Sequence, residues 1–371
     1  MPSQSSSRRA QTPFLDLPGL SHIRELLIDP RVSEIMVNGT SHVFVERDGR
    51  MTDAGMTIPD ERALSLLVDN ILRPTGRSLD AHLPYVDCRL PDGSRVNIVL
   101  GAISIEGTII TIRKVTQGLR DIGDLVANST LSRSMARFLA SAMKAKLNIV
   151  FSGGTGTGKT TLLGMLAAEI PADERIIVIE DTAELTFGQP NVVRLEARRA
   201  GVEGTGAVTI EDLLINSLRM RPTRIIMGEI RGREALEMIQ AVATGHDGCL
   251  SVLHAGTPTG AIGRLEMMVT TSGFNIPLWA IRRQIASAID LIVQCEIDRT
   301  GRRRVTHITE VSASSEEELV LHDLYTFNLD GTQSESQGTF TRSERMPNFE
   351  DRYEARGVSM PSDLKESAAG A

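Results

Sequence analysis

The sequence predicts two domains of different class: a smaller α+β domain with a mostly antiparallel sheet, then a larger α/β domain with a mainly parallel sheet covered on both faces. Three observations carry this. Over residues 17–115, short strand patterns alternate with turn pairs such as Asn38-Gly39, Asp48-Gly49 and Asp92-Gly93. Over residues 131–311, strand-length apolar runs alternate with helical segments, the pattern of strands buried on both faces. A glycine-rich loop stands between one such run and the helix that follows it.

In chain order, residues 1–16 are rich in Ser, Gln and Arg, with little to bury, and are expected to be disordered. Residues 23–28 suggest a short helix, stopped by Asp29 and Pro30. Residues 34–37 and 43–46 read as strands around the Asn38-Gly39 turn. Residues 60–72 have helical spacing, with Ala63, Leu66, Leu67, Asn70 and Ile71 on one face. Residues 85–90 and 94–100 form a hairpin, and 108–113 a further strand. The polar stretch 116–130 is the expected linker. Within 131–311, residues 147–151, 175–179, 224–227, 249–253 and 290–293 are the buried-strand candidates. Beyond 311 the signal fades: residues 319–328 suggest an edge strand, and 312–371 as a whole a partly flexible extension. Glu316, Glu317 and Glu318 read as a solvated turn or helix end, and Gly301 with Arg302, Arg303 and Arg304 as a solvated basic hairpin tip.

The 371-residue chain carries a formal charge of −7. A general nucleic-acid binder usually has a basic face, so this balance disfavours one. Cys88, Cys249 and Cys295 are far apart and lack metal-ligand spacing, as expected of buried thiols in a reducing compartment. No apolar run approaches the ~20 residues that cross a bilayer. The first residues lack the apolar core of a signal peptide. The expected location is cytoplasmic, with any membrane association made through partners.

Gly153, Gly154, Thr155, Gly156, Thr157, Gly158, Lys159 and Thr160 match G-x-x-x-x-G-K-[ST] in full, after an apolar strand and before a helix. Glycines let backbone N–H groups turn inward around phosphates, and the helix N-terminus adds partial positive charge. Lys159 is expected to reach the β- and γ-phosphates, Thr160 to hold Mg²⁺, and Thr161 to add an α-phosphate contact. The implied ligands are ATP and Mg²⁺.

Carboxylates at the C-terminal ends of parallel strands emerge beside such a loop. One set is Glu180, Asp181 and Glu184; the other is Glu229, preceded by Gly228. Glu229 is the better candidate for polarising water. Asp181 or Glu184 would bind Mg²⁺ through water or orient the nucleophile, and the alternative for each acid is a helix cap or surface ion pair. His246 and His254 flank a buried strand; spacing alone favours satisfied structural histidines over a γ-phosphate sensor. Arg89, Arg95 and Arg113 fall on predicted strands of the first domain, and Arg231 follows Glu229. Guanidinium suits bidentate phosphate contact, although a solvated sheet face is the default for an arginine.

The order of these motifs resembles the secretion ATPases of type II secretion, type IV pili and type IV secretion. The matching elements are the Walker A loop ending in Lys159 and Thr160, the acidic "Asp box" around Glu180, Asp181 and Glu184, the Walker B segment with Glu229 and Arg231, and the "His box" with His246 and His254. In the first domain, segments 32–39, 43–47, 86–97 and 111–114 resemble the Flp/Tad pilus assembly branch, as does 218–222. The resemblance covers about residues 17–311, and members of that branch often carry a longer N-terminal extension. It implies a RecA-like P-loop NTPase domain after a sensing domain, with catalytic Glu229, Glu184 and Lys159, Thr160 and Asp181 at Mg²⁺, and Arg95 and Arg113 as first-domain arginines brought to the phosphates. It further implies a homohexamer under an inner-membrane pilus platform, with a traffic ATPase of a conjugation-type system as the nearest alternative.

Overall fold

The computed structural model describes residues 20–80, 83–114, 121–198, 205–313, 319–329 and 338–362. The chain divides into two compact units, Met1–Leu119 and Arg120–Ala371. The expected disordered start and the acidic run 316–318 lie outside the described residues.

The first unit opens with a 3₁₀ turn and helix α1 (Arg24–Ile28). Strands β1 (Val32–Asn38), β2 (His42–Arg47) and β3 (Arg50–Asp53) follow, then α2 (Glu61–Leu72), β4 (Tyr85–Arg89), β5 (Arg95–Val99) and β6 (Ile109–Arg113). Among the described residues they form one antiparallel sheet in the order β3-β2-β1-β6-β5-β4. Alternation along β1 turns Ile35 and Val37 inward, and a bulge between Val32 and Glu34 brings Val32 to the same side. There they meet Leu64, Leu67, Val68 and Ile71 of α2, whose helical spacing gathers them on one face. Asp60 caps α2, accepting from the Ala63 N–H at 2.7 Å.

The second unit runs α3 (Ile122–Ala127), α4 (Arg133–Lys144), β7 (Ile149–Gly153), α5 (Lys159–Ala167), β8 (Ile176–Glu180), β9 (Val192–Glu196), α6 (Ile210–Ser217), β10 (Arg224–Met227), α7 (Glu234–Ala243) and β11 (Leu250–Leu253). It continues with α8 (Pro258–Thr270), α9 (Leu278–Ala288), β12 (Leu291–Ile297), β13 (Arg303–Ala313), β14 (Leu319–Leu329), β15 (Gly338–Arg342) and α10 (Glu350–Ala355). The described strands make one sheet, β15-β14-β13-β12-β7-β11-β10-β8-β9. From β12 to β9 it is parallel, and β13, β14 and β15 add antiparallel strands at one side. All residues of β7, β8, β10 and β11 are buried, as strands covered on both faces must be. This is the α/β class expected, a RecA-like P-loop domain after a smaller α+β domain.

Three expectations are refined. The expected linker 116–130 contains the boundary between the two units, and its residues 116–120 lie outside the described ones. From residue 121 it is structured: Asp121 caps α3 by accepting from Gly123 and Asp124, Leu125 is buried, and the Val305 N–H donates to the Thr130 carbonyl at 2.7 Å. Strand β14 is not an edge, because β15 pairs outside it. The final stretch is anchored as well as polar. Phe349 stacks on Phe138 and on Tyr353, and the Tyr353 hydroxyl meets Ser141 Oγ at 3.0 Å. Two aromatics in a polar stretch leave no periodicity to detect.

Candidate functional site: a phosphate-binding loop and its acid

Strand β7 delivers the loop. Gly153 ends the strand at φ +152°, and a Cβ there would run into the Cys295 carbonyl of the neighbouring β12. Only glycine lets the chain leave the sheet at this point. Gly156 and Gly158 turn the loop at φ +75° and +93°. Lys159, the first residue of α5, is almost fully buried, and its Nζ donates to the Gly154 carbonyl at 2.6 Å. Thr157 Oγ1 donates to the same carbonyl at 2.9 Å. Thr160 lies half-buried in the first turn of α5, while Thr155 and Thr161 are exposed.

Strand β11 lies between β7 and β10, and this order assembles the rest. The Gly228 N–H donates to Ile179 of β8, and the Ile230 N–H donates to Val252 of β11. Glu229 is thereby fixed at the C-terminal edge of the sheet. His254 follows β11 and bridges the gap. Its Nδ1 stands 3.5 Å from Lys159 Nζ and its Nε2 3.2 Å from Glu229 Oε1. Arg231 Nη2 donates to Glu229 Oε2 at 2.6 Å. Lysine has only donors, so this network assigns the neutral tautomer with Nδ1 accepting and Nε2–H donating to the carboxylate.

The electrostatics agree. Burial pushes the Glu229 carboxyl up, but the hydrogen bond and charge of Arg231, with His254 and Lys159, outweigh it and hold the group below the usual carboxylate range. Burial first, then the Lys159 charge, push His254 below the ordinary imidazole value, with Glu229 pulling the other way. At neutral pH the site therefore holds an ionised Glu229 beside a neutral His254.

The acids after β8 divide their roles. The Glu180 side chain is buried, and its Oε1 accepts from the Glu184 and Leu185 N–H groups at 2.7 and 3.0 Å. Burial raises its carboxyl. It organises the backbone that carries Asp181 and Glu184. Asp181 lies near enough to add to the charge acting on Arg231. Glu184 is exposed at the far side of that turn.

One grouping read from the sequence comes apart, and another lies together. His246 precedes β11, beside the start of β7, whereas the phosphate loop follows the end of β7. Its Nδ1 meets the Ala241 carbonyl at 3.1 Å at the end of α7. The two histidines of one motif thus sit at opposite ends of one strand, and His254 alone joins the loop. Within the first unit, Arg95 pairs with Arg89 on one side and Arg113 on the other, a row of three arginines across β4, β5 and β6. Arg113 Nε lies 3.7 Å from Glu34.

Arg303 was missed. Segment 301–304 is exposed over 301–303, but it is more than a solvated tip: Arg303 Nε donates to the Gly156 carbonyl of the phosphate loop at 2.8 Å. Arg304 is buried, donating to Asp298 Oδ2 at 3.0 Å and to the Ser129 carbonyl, with its guanidinium 5.0 Å from the Phe327 ring centre. Strand alternation was the available signal, since it sends successive arginines to opposite faces.

No helix among the described residues is long and apolar enough to cross a membrane. Residues 17–328 match the family model described as Type II/IV secretion system protein. The type IV secretion system protein VirB11 of Brucella suis is 33% identical over 341 residues, spanning 84% of this chain and 92% of that one. The conjugal transfer protein TrbB of Rhizobium radiobacter is 34% identical over 289 residues, covering 76% and 85%. In fold, the ATPase DotB of Legionella pneumophila superposes with a TM-score of 0.53 at 18% identity, covering 95% of this chain and 85% of that structure. Spanning most of the chain, these matches show that the protein belongs to the Type II/IV secretion system protein family.

Proposed function

We propose that this protein hydrolyses ATP and that the cycle drives a membrane-bound pilus or secretion machine. The observation that carries this reading is the run Lys159–His254–Glu229–Arg231, which joins a phosphate-binding lysine to an ionised, partly buried carboxylate. In such a site Lys159 and the amides of residues 153–160 take the phosphates, and Glu229 orients and deprotonates the attacking water. His254 is poised to hold both.

The donor set fits Mg²⁺-ATP. Among the described residues no three His, Cys, Asp or Glu side chains gather as a metal cage. Mg²⁺ needs none, since it is commonly held through one or two protein oxygens, phosphates and waters. Thr160 and, through water, Asp181 are the donors we assign, with Glu184 a second candidate for orienting water and Thr161 for the α-phosphate. Bound there, the ion would neutralise charge developing on the phosphate oxygens.

The machine is the finer part of the proposal. The first-domain segments and segment 218–222 favour a Flp/Tad-type pilus motor, working as a homohexamer on the cytoplasmic side of an inner-membrane platform. Arg95 and Arg113 would then complete the nucleotide site upon domain closure. Likeness to TrbB and VirB11 favours the second reading, a traffic ATPase of a conjugation-type system.

Phosphate release from ATP by the purified protein with Mg²⁺, abolished by Lys159→Ala, is the expected result. No release, or equal release by the variant, would overturn the enzyme reading. In the producing strain, deletion that strips surface pili, restored by the wild-type gene and not by Lys159→Ala, supports the pilus motor. Intact pili with lost conjugal DNA transfer would select the second reading.

A further inference from the structure

We propose that Arg303 is a positioning residue of the nucleotide site: through the Gly156 carbonyl it sets the phosphate-binding loop in the shape that receives phosphates. This rests on the nucleotide reading above and adds to it a residue outside the loop and its recognised motifs.

The contact joins distant parts of the chain. Arg303 Nε donates to the Gly156 carbonyl at 2.8 Å, and a Cβ added to Gly158 would lie 3.3 Å from Arg303 Cδ. The side chain therefore lies along the loop at its two left-handed glycines. Gly156 and Thr157 share a trans peptide, so their C=O and N–H point in opposite directions. Holding the carbonyl on Arg303 turns the Thr157 N–H the other way. In a loop that binds anions with backbone amides, the direction of each amide decides affinity. Glycine at 156 and 158 leaves that direction soft unless something outside the loop fixes it.

Arg303 is itself firmly placed. It pairs with Ile297 at the start of β13, and β12 runs in register with β7, Cys295 opposite Gly153. Asp298 Oδ1 accepts from the Thr300 and Arg302 N–H groups at 2.8 and 3.0 Å, closing the turn between β12 and β13. The next residue, Arg304, is locked to Asp298 with both side chains almost fully buried. A rigid hairpin thus presents one guanidinium to a flexible loop. Arg303 is exposed, so its effect should fall on ligand affinity rather than on folding.

The test is calorimetric titration of the full-length protein with ADP, paired with melting of the nucleotide-free protein. Arg303→Ala should weaken ADP binding about tenfold, the scale of one charge-assisted hydrogen bond. The nucleotide-free melting temperature should stay within about 2 °C. Arg303→Lys, which keeps a charged donor, should recover part of the affinity, and in turnover the loss should fall on KM rather than kcat. A folded Arg303→Ala protein that binds ADP as tightly as the wild type overturns the proposal, as does a loss confined to kcat. Should Arg303→Ala fail to fold, Arg303→Gln, with a neutral donor, is judged by the same criteria. If the wild type binds no ADP and Lys159→Ala changes nothing, the nucleotide reading itself falls, a result distinct from failure of the Arg303 contact alone.

Discussion

His254 Nε2 stands 3.2 Å from one oxygen of Glu229 while Arg231 Nη2 stands 2.6 Å from the other. Both carboxylate oxygens are thereby engaged, and the acid is aimed rather than left to rotate. The strand order makes this possible: with β11 between β7 and β10, the residue following β11 is the one that can touch both the loop lysine and the acid. A carboxylate held by a charged donor and a neutral imidazole stays ionised, as a group that accepts a proton from water must.

Replacing that acid isolates its chemical role. Glu229→Gln keeps size and one acceptor oxygen for Arg231 or His254, but its amide cannot take a proton. Turnover should fall by about 10²–10³-fold, within the range of general-base contributions. ADP binding should stay within about threefold of the wild type, because the phosphates are held by the loop. Phosphate-release assays and calorimetry check the two halves, and unchanged turnover would remove Glu229 from the mechanism.

His254 predicts the pH profile. Burial and the Lys159 charge hold it below the ordinary 6.5, so it is neutral across the physiological range. Protonation would give Nδ1 a hydrogen that faces the lysine ammonium and break the bridge. Activity should be flat from about pH 7 to 8 and fall only on the acid side of the ordinary imidazole value. His254→Asn should lower the rate and abolish that acid limb. The stability sign is the same. Just below pH 6.5 the unfolded chain binds more protons than the folded one, so the contribution of His254 is present above that value and is lost as pH falls towards the folded value.

Much of this site was legible because its parts obey local rules. The glycine-rich loop, the apolar strands and the acid after β10 each announce themselves within ten residues or so of sequence. What was not legible depended on which strands become neighbours. Glu180 and Glu229 look alike as acids after apolar strands, yet Glu180 turns back to cap its own loop while Glu229 faces His254. His246 and His254 look like a pair, yet four strand residues separate opposite ends of the sheet. Arg303 reaches Gly156 across a sequence distance of 147 residues, a contact no local pattern encodes.

Arg224 predicts a structural failure remote from the chemistry. It is fully buried at the start of β10, paired through Nε and Nη2 to both oxygens of Glu174 at 3.0 and 2.9 Å. It also donates to the Gly248 and Met143 carbonyls. Arg224→Ala removes both guanidinium bonds from a nearly buried carboxylate, leaving it Lys146 Nζ at 3.4 Å, and frees two carbonyls, at a cost of roughly 3 kcal/mol. Urea melts should show this loss, and Glu174→Gln, which keeps an acceptor for the guanidinium, should cost less. Equal melts for wild type and Arg224→Ala would mean that water relieves the site.

The last prediction couples the final helix to pH. Arg352 of α10 reaches Asp290 Oδ1 at 3.3 Å, the Lys146 carbonyl at 2.8 Å and Asp247 Oδ1 at 3.2 Å. Burial pushes the Asp290 carboxyl up to about 6, against the pull of Arg352 and the Asn148 N–H, with the Asp247 charge pushing it further. A raised folded value means that the contribution of Asp290 to stability is fully present below the unfolded value of 3.8 and is lost as pH rises through about 6. Above that pH the carboxylate is charged, buried and dependent on Arg352. Arg352→Ala should therefore cost roughly 2 kcal/mol at about pH 7.5, and roughly half of that at about pH 5, where Asp290 is neutral and needs no counter-charge. Asp290→Asn should flatten the difference between the two conditions. Melts at both pH values, with and without each substitution, decide it. A penalty for Arg352→Ala that is equal at the two pH values would show that α10 is held by its aromatic packing and by Asp247, with Asp290 a bystander.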